Sequence, residues 1–177
     1  VLSYKLIVTE KAKLEEGMSE RFKTTVAVFI GLRNEKGEIL LQQRANTGFM
    51  DGFWDFGASG HLEDDESIRE CAIRELKEEI GVDANEDDLK LVHINQNKFK
   101  LPYLNFTFIL DKWQGEPKIC EPDKCSDLRY FAADSLPDKC TVNVRVNQHD
   151  NFSDEMLYSY VDKDNYEEMV GQRFDEI

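Results

Sequence analysis

The chain has 177 residues, with 22 Lys and Arg against 36 Asp and Glu, a formal net charge of -14 and 41% apolar residues. That length fits one substantial domain, and an apolar fraction near the globular average excludes wholesale disorder. The acidic balance repels polyanions, which argues against nucleic-acid polymers and anionic membranes as partners; a small phosphorylated ligand can still be held locally through bound cations.

The opening segment, VLSYKLIVTEKAK, lacks the long apolar stretch and small-residue cleavage site of a secretion signal. No apolar run approaches the roughly 20 residues that span a bilayer, so a cytoplasmic protein is expected. Residues 24 to 32 (TVAVFIGLR) and 38 to 44 (EILLQQR) are β-rich and separated by Asn34-Glu35-Lys36-Gly37, a pattern that predicts a hairpin. Next comes ANTGFMDGFWDFGASGH, dense in glycine and aromatic residues. It predicts a shaped loop with a short strand near Phe53 to Phe56, because glycine permits tight turns and close backbone approach.

From Glu66 to Ile80 the chain has neither Pro nor Gly and is rich in helix formers, and Gly81 supplies the stop. At about 100° per residue, Ile68, Ala72, Ile73, Leu76 and Ile80 share an arc of roughly 140°, the face expected in the core. Strands are predicted at 88 to 98 and 103 to 113, then a long polar connection to 126, then a strand and turn at 128 to 134. Ser135-Leu136-Pro137 can start a helix, against which the β-branched VNVRV weighs. From Asp150 onward a short helix or strand is expected to lie over the domain. The whole of 1–177 reads as a single domain, with 1–20 and 150–177 as peripheral extensions.

The helix projects Glu75, Glu78 and Glu79 within roughly 100° of one another. Three convergent carboxylates are unfavourable unless water or a cation compensates them, and Glu79 borders the apolar arc, where desolvation adds to the cost. A hard divalent cation such as Mg²⁺ answers both problems; a solvated acidic face is the simpler alternative.

Gly60, Glu66, Arg74, Glu75, Leu76, Glu78, Glu79, Gly81 and Val82 stand at fixed spacings. In that pattern the segment closely resembles the signature of the Nudix hydrolases, and the flanking EILLQQR, Trp54 and RYFAADSLP extend the resemblance over most of 20 to 140. The resemblance implies an α/β fold, a Nudix-type α/β/α sandwich with a mixed central sheet. It implies that Glu75, Glu78 and Glu79 bind Mg²⁺, with Mn²⁺ as a substitute, and that Arg74 holds the helix and its carboxylates in place. Glu66 is a further candidate at the metal.

The implied reaction is attack of water on a phosphoanhydride bond in a nucleoside triphosphate or another nucleoside diphosphate derivative. Glu78 or Glu79 is the candidate base, with Glu121 in ICEPDKC as the alternative from a later loop. Gly57 is a candidate metal-facing carbonyl, and His61, Trp54 and Arg44 are candidate substrate contacts; for His61 a loop-fixing hydrogen bond is the other reading. A homodimer is a further expectation from the family.

Trp54-Asp55-Phe56-Gly57-Ala58-Ser59-Gly60-His61 departs from the Trp-x-Phe-Pro-Gly-Gly loop of many nucleotide-cleaving members. Its Gly-His form looks more like a branch that includes isopentenyl-diphosphate-isomerase-like proteins. Such an isomerase is one alternative, and a noncatalytic nucleotide-binding domain of this fold is another. The isomerase needs a catalytic thiol in the loop at QQRANTGFMDG, which has none. Cys71 on the helix is expected to be a packed thiol, and Cys120 and Cys125 lack the neighbours of a zinc site. All four cysteines, Cys140 included, are expected to be reduced.

Overall fold

A computed structural model describes residues 22–98 and 101–170, so the segment 1–20 lies outside the described residues. Strands β1 (Thr25–Leu32), β2 (Ile39–Arg44), β3 (Trp54–Phe56) and β4 (Ala58–His61) precede helix α1 (Ile68–Ile80). Strands β5 (Lys90–Lys98), β6 (Pro102–Leu110) and β7 (Cys125–Phe131) follow, then α2 (Val142–Gln148), β8 (Leu157–Asp162) and α3 (Tyr166–Val170). A five-stranded mixed sheet has the order β4-β1-β6-β5-β8, and a three-stranded antiparallel sheet has the order β3-β2-β7.

Strand alternation sorts the core into two layers. Val28, Ile30 and Leu32 on β1 join Phe108 and Leu110 on β6 against Ala72, Leu76 and Ile80 of α1. On the opposite face Ile109 and Phe29 meet the inner side of the small sheet, Leu41, Trp54 and Phe56, together with Val144 of α2. Helices therefore cover both sides of a mixed sheet, the expected α/β/α arrangement.

The predicted β1-β2 hairpin forms only at its turn. Arg33 and Ile39 make an isolated antiparallel bridge, after which β1 pairs with β4 and β6 while β2 pairs with β3 and β7. The two strands part because each buries apolar residues in a different sheet. The glycine-rich stretch holds β4 as well as the expected short strand. VNVRV is helical despite its β-branched residues, since α2 is buried on several sides at once: Val144 enters one core cluster, Val142 and Val146 another. Among the described residues no helix is long and apolar enough to cross a membrane.

An ion-pair cluster clamps the far ends of β1, β5 and β6. Arg33 donates through Nε and Nη2 to both oxygens of Asp111, at 2.7 and 2.9 Å, and Lys90 Nζ reaches Asp111 and Asp154 at 2.8 and 2.6 Å. The Arg33 guanidinium holds the Asp111 carboxyl down at about 2, from an ordinary 3.8. A depressed carboxyl contributes stability above its unfolded value and loses it as pH falls through the folded one. Asp111→Asn is therefore expected to cost about 1–2 kcal/mol near neutral pH. Thermal melts of both proteins should converge as pH drops from 3.8 towards 2; a gap that persists in acid would show that the loss is not electrostatic.

Candidate active site

Helix α1 begins and ends on local chemistry. Ser67 Oγ accepts from Glu70 N at 3.2 Å and Glu70 Oε2 accepts from Ser67 N at 2.7 Å, a reciprocal capping box. Gly81 closes the helix in the left-handed region, with φ 73°. The apolar stripe on β1 and β6 then fixes the helix rotation, and the glutamates follow from it.

Arg74 is the hub. Its Nη2 lies 2.7 Å and its Nε 3.0 Å from the Glu66 carboxylate, its Nη1 lies 2.6 Å from Glu75 Oε1 and 3.2 Å from Glu78 Oε2, and Nη2 also donates to the His61 carbonyl at 3.2 Å. Those bonds bring Glu66 down to about 2, so it stays ionised. Glu75 is buried against Gly60, where an added Cβ would sit 1.8 Å from its Oε1. Only a residue without Cβ admits the carboxylate there. Burial pushes the Glu75 carboxyl up and the Arg74 bond pulls against it. Glu78, by contrast, is largely exposed.

Glu79 has different partners. Its Oε2 accepts from Ser59 N on β4 at 2.7 Å and from Gln42 Nε2 on β2 at 3.0 Å. Burial drives its carboxyl up to about 8, with repulsion from Glu75 and Glu121 adding to the rise. Gln42 and Asp55 are paired across β2 and β3, and Asp55 is a buried carboxylate that accepts from Thr141 Oγ1 at 2.9 Å. Burial raises the Asp55 carboxyl, and Arg44 opposes the rise. Neither residue was singled out by the sequence pattern. The one signal was a polar pair, Gln42 and Gln43, closing an otherwise apolar strand.

The remaining candidates sit as follows. Glu121 is close enough to raise both Glu75 and Glu79 electrostatically, and Lys124 Nζ holds it at 2.9 and 3.1 Å. Arg44 donates to the Phe49 carbonyl and Thr47 Oγ1 at 3.1 and 3.2 Å and stands 3.6 Å from Asp55. Trp54 is a core residue, edge-on to Phe131 with the Arg129 guanidinium over its ring, so its indole is committed to packing. Gly57 is buried, where an added Cβ would press on the Leu40 carbonyl at 3.2 Å. His61 is exposed, with Nε2 3.4 Å from the Tyr103 hydroxyl. Cys71 is buried and its thiol is pushed up to about 12, which disqualifies it as a nucleophile.

Among the described residues no group of three or more His, Cys, Asp or Glu is gathered as a metal cage. The three glutamates are less convergent than the helical wheel implies, because Arg74 ties Glu75 and Glu78 while Ser59 and Gln42 tie Glu79. Their chemistry nevertheless fits a hard divalent cation. The donors are carboxylate oxygens, Gly60 leaves the space Glu75 needs, and Glu79 is a half-buried carboxylate facing two more with no cationic side chain bonded to it.

A family model described as NUDIX domain matches residues 23–156. The CTP pyrophosphohydrolase of Escherichia coli (strain K12) is 31% identical over 86 residues, which span 49% of this chain and 63% of that protein. The 8-oxo-dGTP diphosphatase of the same organism is 29% identical over 120 residues, spanning 65% of this chain and 88% of that one. The fold is similar to the crystal structure of a MutT NUDIX hydrolase from Burkholderia pseudomallei, with a TM-score of 0.67 at 23% identity, covering 72% of this chain and 98% of the other.

Proposed function

The chain belongs to the NUDIX domain family, and on that premise we propose that it is a metal-dependent hydrolase that cleaves a phosphoanhydride bond in a nucleoside triphosphate or another nucleoside diphosphate derivative. The observation that carries this reading is the pairing of one arginine with three glutamates beside a fourth, half-buried glutamate whose carboxyl is pushed up to about 8. Two relatives with the names CTP pyrophosphohydrolase and 8-oxo-dGTP diphosphatase support the nucleotide class.

Glu75, Glu78 and Glu79 would hold Mg²⁺ or Mn²⁺, which when bound offsets charge on phosphate oxygens and lowers the pKa of water. The protein's own part is orientation and proton handling. Arg74 fixes Glu75 and Glu78 and, through the His61 carbonyl, ties the helix to β4. Glu79, held at Oε2 by Ser59 N, keeps Oε1 to take a proton, and Glu121, steadied by Lys124, is the second candidate base. His61 is exposed at the end of β4, next to Gly60, and would meet the phosphates.

A panel of nucleoside triphosphates and nucleotide sugars, assayed with Mg²⁺ and Mn²⁺ and resolved for phosphate, pyrophosphate and monophosphate, tests the reading. Activity should vanish with chelator and fall at least about tenfold in Glu78→Gln. Glu78 is exposed and peripheral to the core, so the variant should fold; full turnover in it would remove Glu78 from the metal site.

A further inference from the structure

The arginine that organises the carboxylates has nothing left for a substrate. Arg74 Nε and Nη2 serve Glu66, Nη1 serves Glu75 and Glu78, and Nη2 also serves the His61 carbonyl, so every N–H of the guanidinium is engaged. Drawing it towards a phosphate would dismantle the array it holds. Arg44 is likewise committed, to the Phe49 carbonyl, Thr47 Oγ1 and the buried Asp55 carboxylate. A polyphosphate that approaches Glu66, Glu75, Glu78, Glu79 and Glu121 therefore needs a further cation from the protein to offset their repulsion.

Lys124 is differently placed. Its Nζ lies 2.9 and 3.1 Å from the two oxygens of Glu121, and its side chain is exposed. Exposed pairs of this kind contribute little to stability. This one spans a turn that backbone bonds already close, since Lys124 N and Cys125 N both donate to the Glu121 carbonyl at 3.0 Å. The pair opens without loss of the turn.

The turn itself is pinned on two sides. Cys120 N donates to the Glu79 carbonyl at 2.9 Å, which ties the segment to the end of α1 at Glu79 itself. On the other side Ala45 N donates to the Lys124 carbonyl at 2.8 Å, Asn46 Nδ2 donates to the Asp123 carbonyl at 3.1 Å, and the buried Cys125 stands in register with Arg44 of β2. The root of Lys124 is thus fixed between α1 and β2, while its ammonium rides on a flexible four-carbon stem. The Glu121 bond holds the ammonium pKa up, and Glu79 and Glu75 add to the rise, which puts Lys124 within electrostatic reach of both carboxylates.

We infer that Lys124 is a substrate-binding residue that exchanges partners: its ammonium leaves Glu121 for a phosphate oxygen of the bound substrate, and the Glu121 carboxylate is released. The inference rests on the hydrolase reading above. No covalent bond changes in this step; one ion pair replaces another. A phosphate chain of several charges attracts the ammonium more strongly than one carboxylate does, and lysine meets phosphate as a point charge without a fixed geometry. The exchange also orders events. Glu121 is engaged before phosphate arrives and has free oxygens afterwards, so the second candidate base is delivered together with its substrate.

Methylenebisphosphonate with Mg²⁺ is the probe, because its P–C–P bridge resists hydrolysis, and its affinity for the full chain is read by isothermal calorimetry. Lys124→Met should weaken binding at least about tenfold, and Lys124→Arg should recover most of the loss. Glu121→Gln should tighten binding, because the ammonium no longer has to be drawn off a carboxylate; in the Lys124→Met background the same change should do much less. For a nucleotide that the wild-type protein hydrolyses, Lys124→Met should raise KM at least about tenfold with a smaller change in kcat, since Glu121 is then unpaired throughout. In a protein that hydrolyses a nucleotide, bisphosphonate affinity and KM unchanged in Lys124→Met would overturn the inference and leave the hydrolase reading intact, as would failure of the wild type to bind the probe. Equal effects of Glu121→Gln in both backgrounds would overturn the exchange of partners. Lysine-dependent binding of the probe without hydrolysis across the nucleotide panel would uphold the phosphate contact and overturn the hydrolase reading.

Discussion

Glu79→Gln is expected to lose turnover about a thousandfold, the scale seen when a group acting on the transition state is removed, while making the metal-free protein more stable at neutral pH. Both halves follow from one half-buried carboxylate. Its pKa rises from an ordinary 4.5 to about 8, chiefly by burial, with Glu75 and Glu121 adding repulsion. A carboxyl raised on folding is favourable below its unfolded value, and that advantage is lost progressively as pH climbs through the folded one. Between 4.5 and about 8 the wild-type protein in chelator should therefore melt at steadily lower temperature as pH rises.

Glutamine is neutral throughout that range and keeps the useful contacts. Its carbonyl, placed where Oε2 lies, can accept from both Ser59 N and Gln42 Nε2. The variant's melting profile should fall less steeply across the window, since Glu75 and Asp55 still titrate, and lie above wild type at its alkaline end. Millimolar Mg²⁺ should raise the melting temperature of wild type but not of the variant, because only a ligand bound to the folded state shifts the equilibrium. A variant that melts lower than wild type in chelator at the alkaline end would mean that the Glu79 charge is already compensated.

Such a frustrated group was partly legible without coordinates. Spacing alone placed Glu75, Glu78 and Glu79 on one side of α1 and put Glu79 at the border of the apolar stripe, and in the structure it is half-buried there. Ser67 and Gly81 bound the helix where the chemistry of caps says they should. What local periodicity could not supply was the partners. Gln42 reaches Glu79 from another sheet, because β2 leaves β1 after the single Arg33-Ile39 bridge. Asp55 falls in the predicted short strand near Phe53 to Phe56, and nothing local marks it as the buried carboxylate that accepts from Thr141. In α2 the alternation of valines reads as a strand, yet burial of Val142, Val144 and Val146 in two separate clusters outweighs intrinsic preference.

Gly60→Ala should reduce turnover about a hundredfold in a protein that still folds, the loss expected when a reacting assembly is displaced by about 1 Å. The argument is steric. A Cβ at this position would stand 1.8 Å from Glu75 Oε1, 2.1 Å from its Cδ and 2.7 Å from Oε2, all inside van der Waals contact. Glu75 cannot simply withdraw, since Arg74 Nη1 holds Oε1 at 2.6 Å. The carboxylate must rotate away, and the Arg74 bond goes with it. Overpacking of this kind costs about 1–3 kcal/mol, and Gly60 itself sits in β4 opposite Val28, a backbone geometry alanine tolerates.

A double-mutant cycle separates this mechanism from a general defect in the loop. Glu75→Ala removes the obstacle, so adding Gly60→Ala to it should cost little further stability, and the two single losses should fail to add by about 1 kcal/mol or more. Additive losses would place the strain in the β4 backbone instead of the carboxylate. Turnover retained in Gly60→Ala would carry a larger consequence, for it would mean that the position of Glu75 is immaterial to the chemistry. The glycine that opens the signature would then serve only the pairing of β4 with β1. The expected outcome assigns it the opposite part: on β4 it leaves the space in which the Glu75 carboxylate of α1 lies against the strand, and the acidic cluster depends on that contact for its shape.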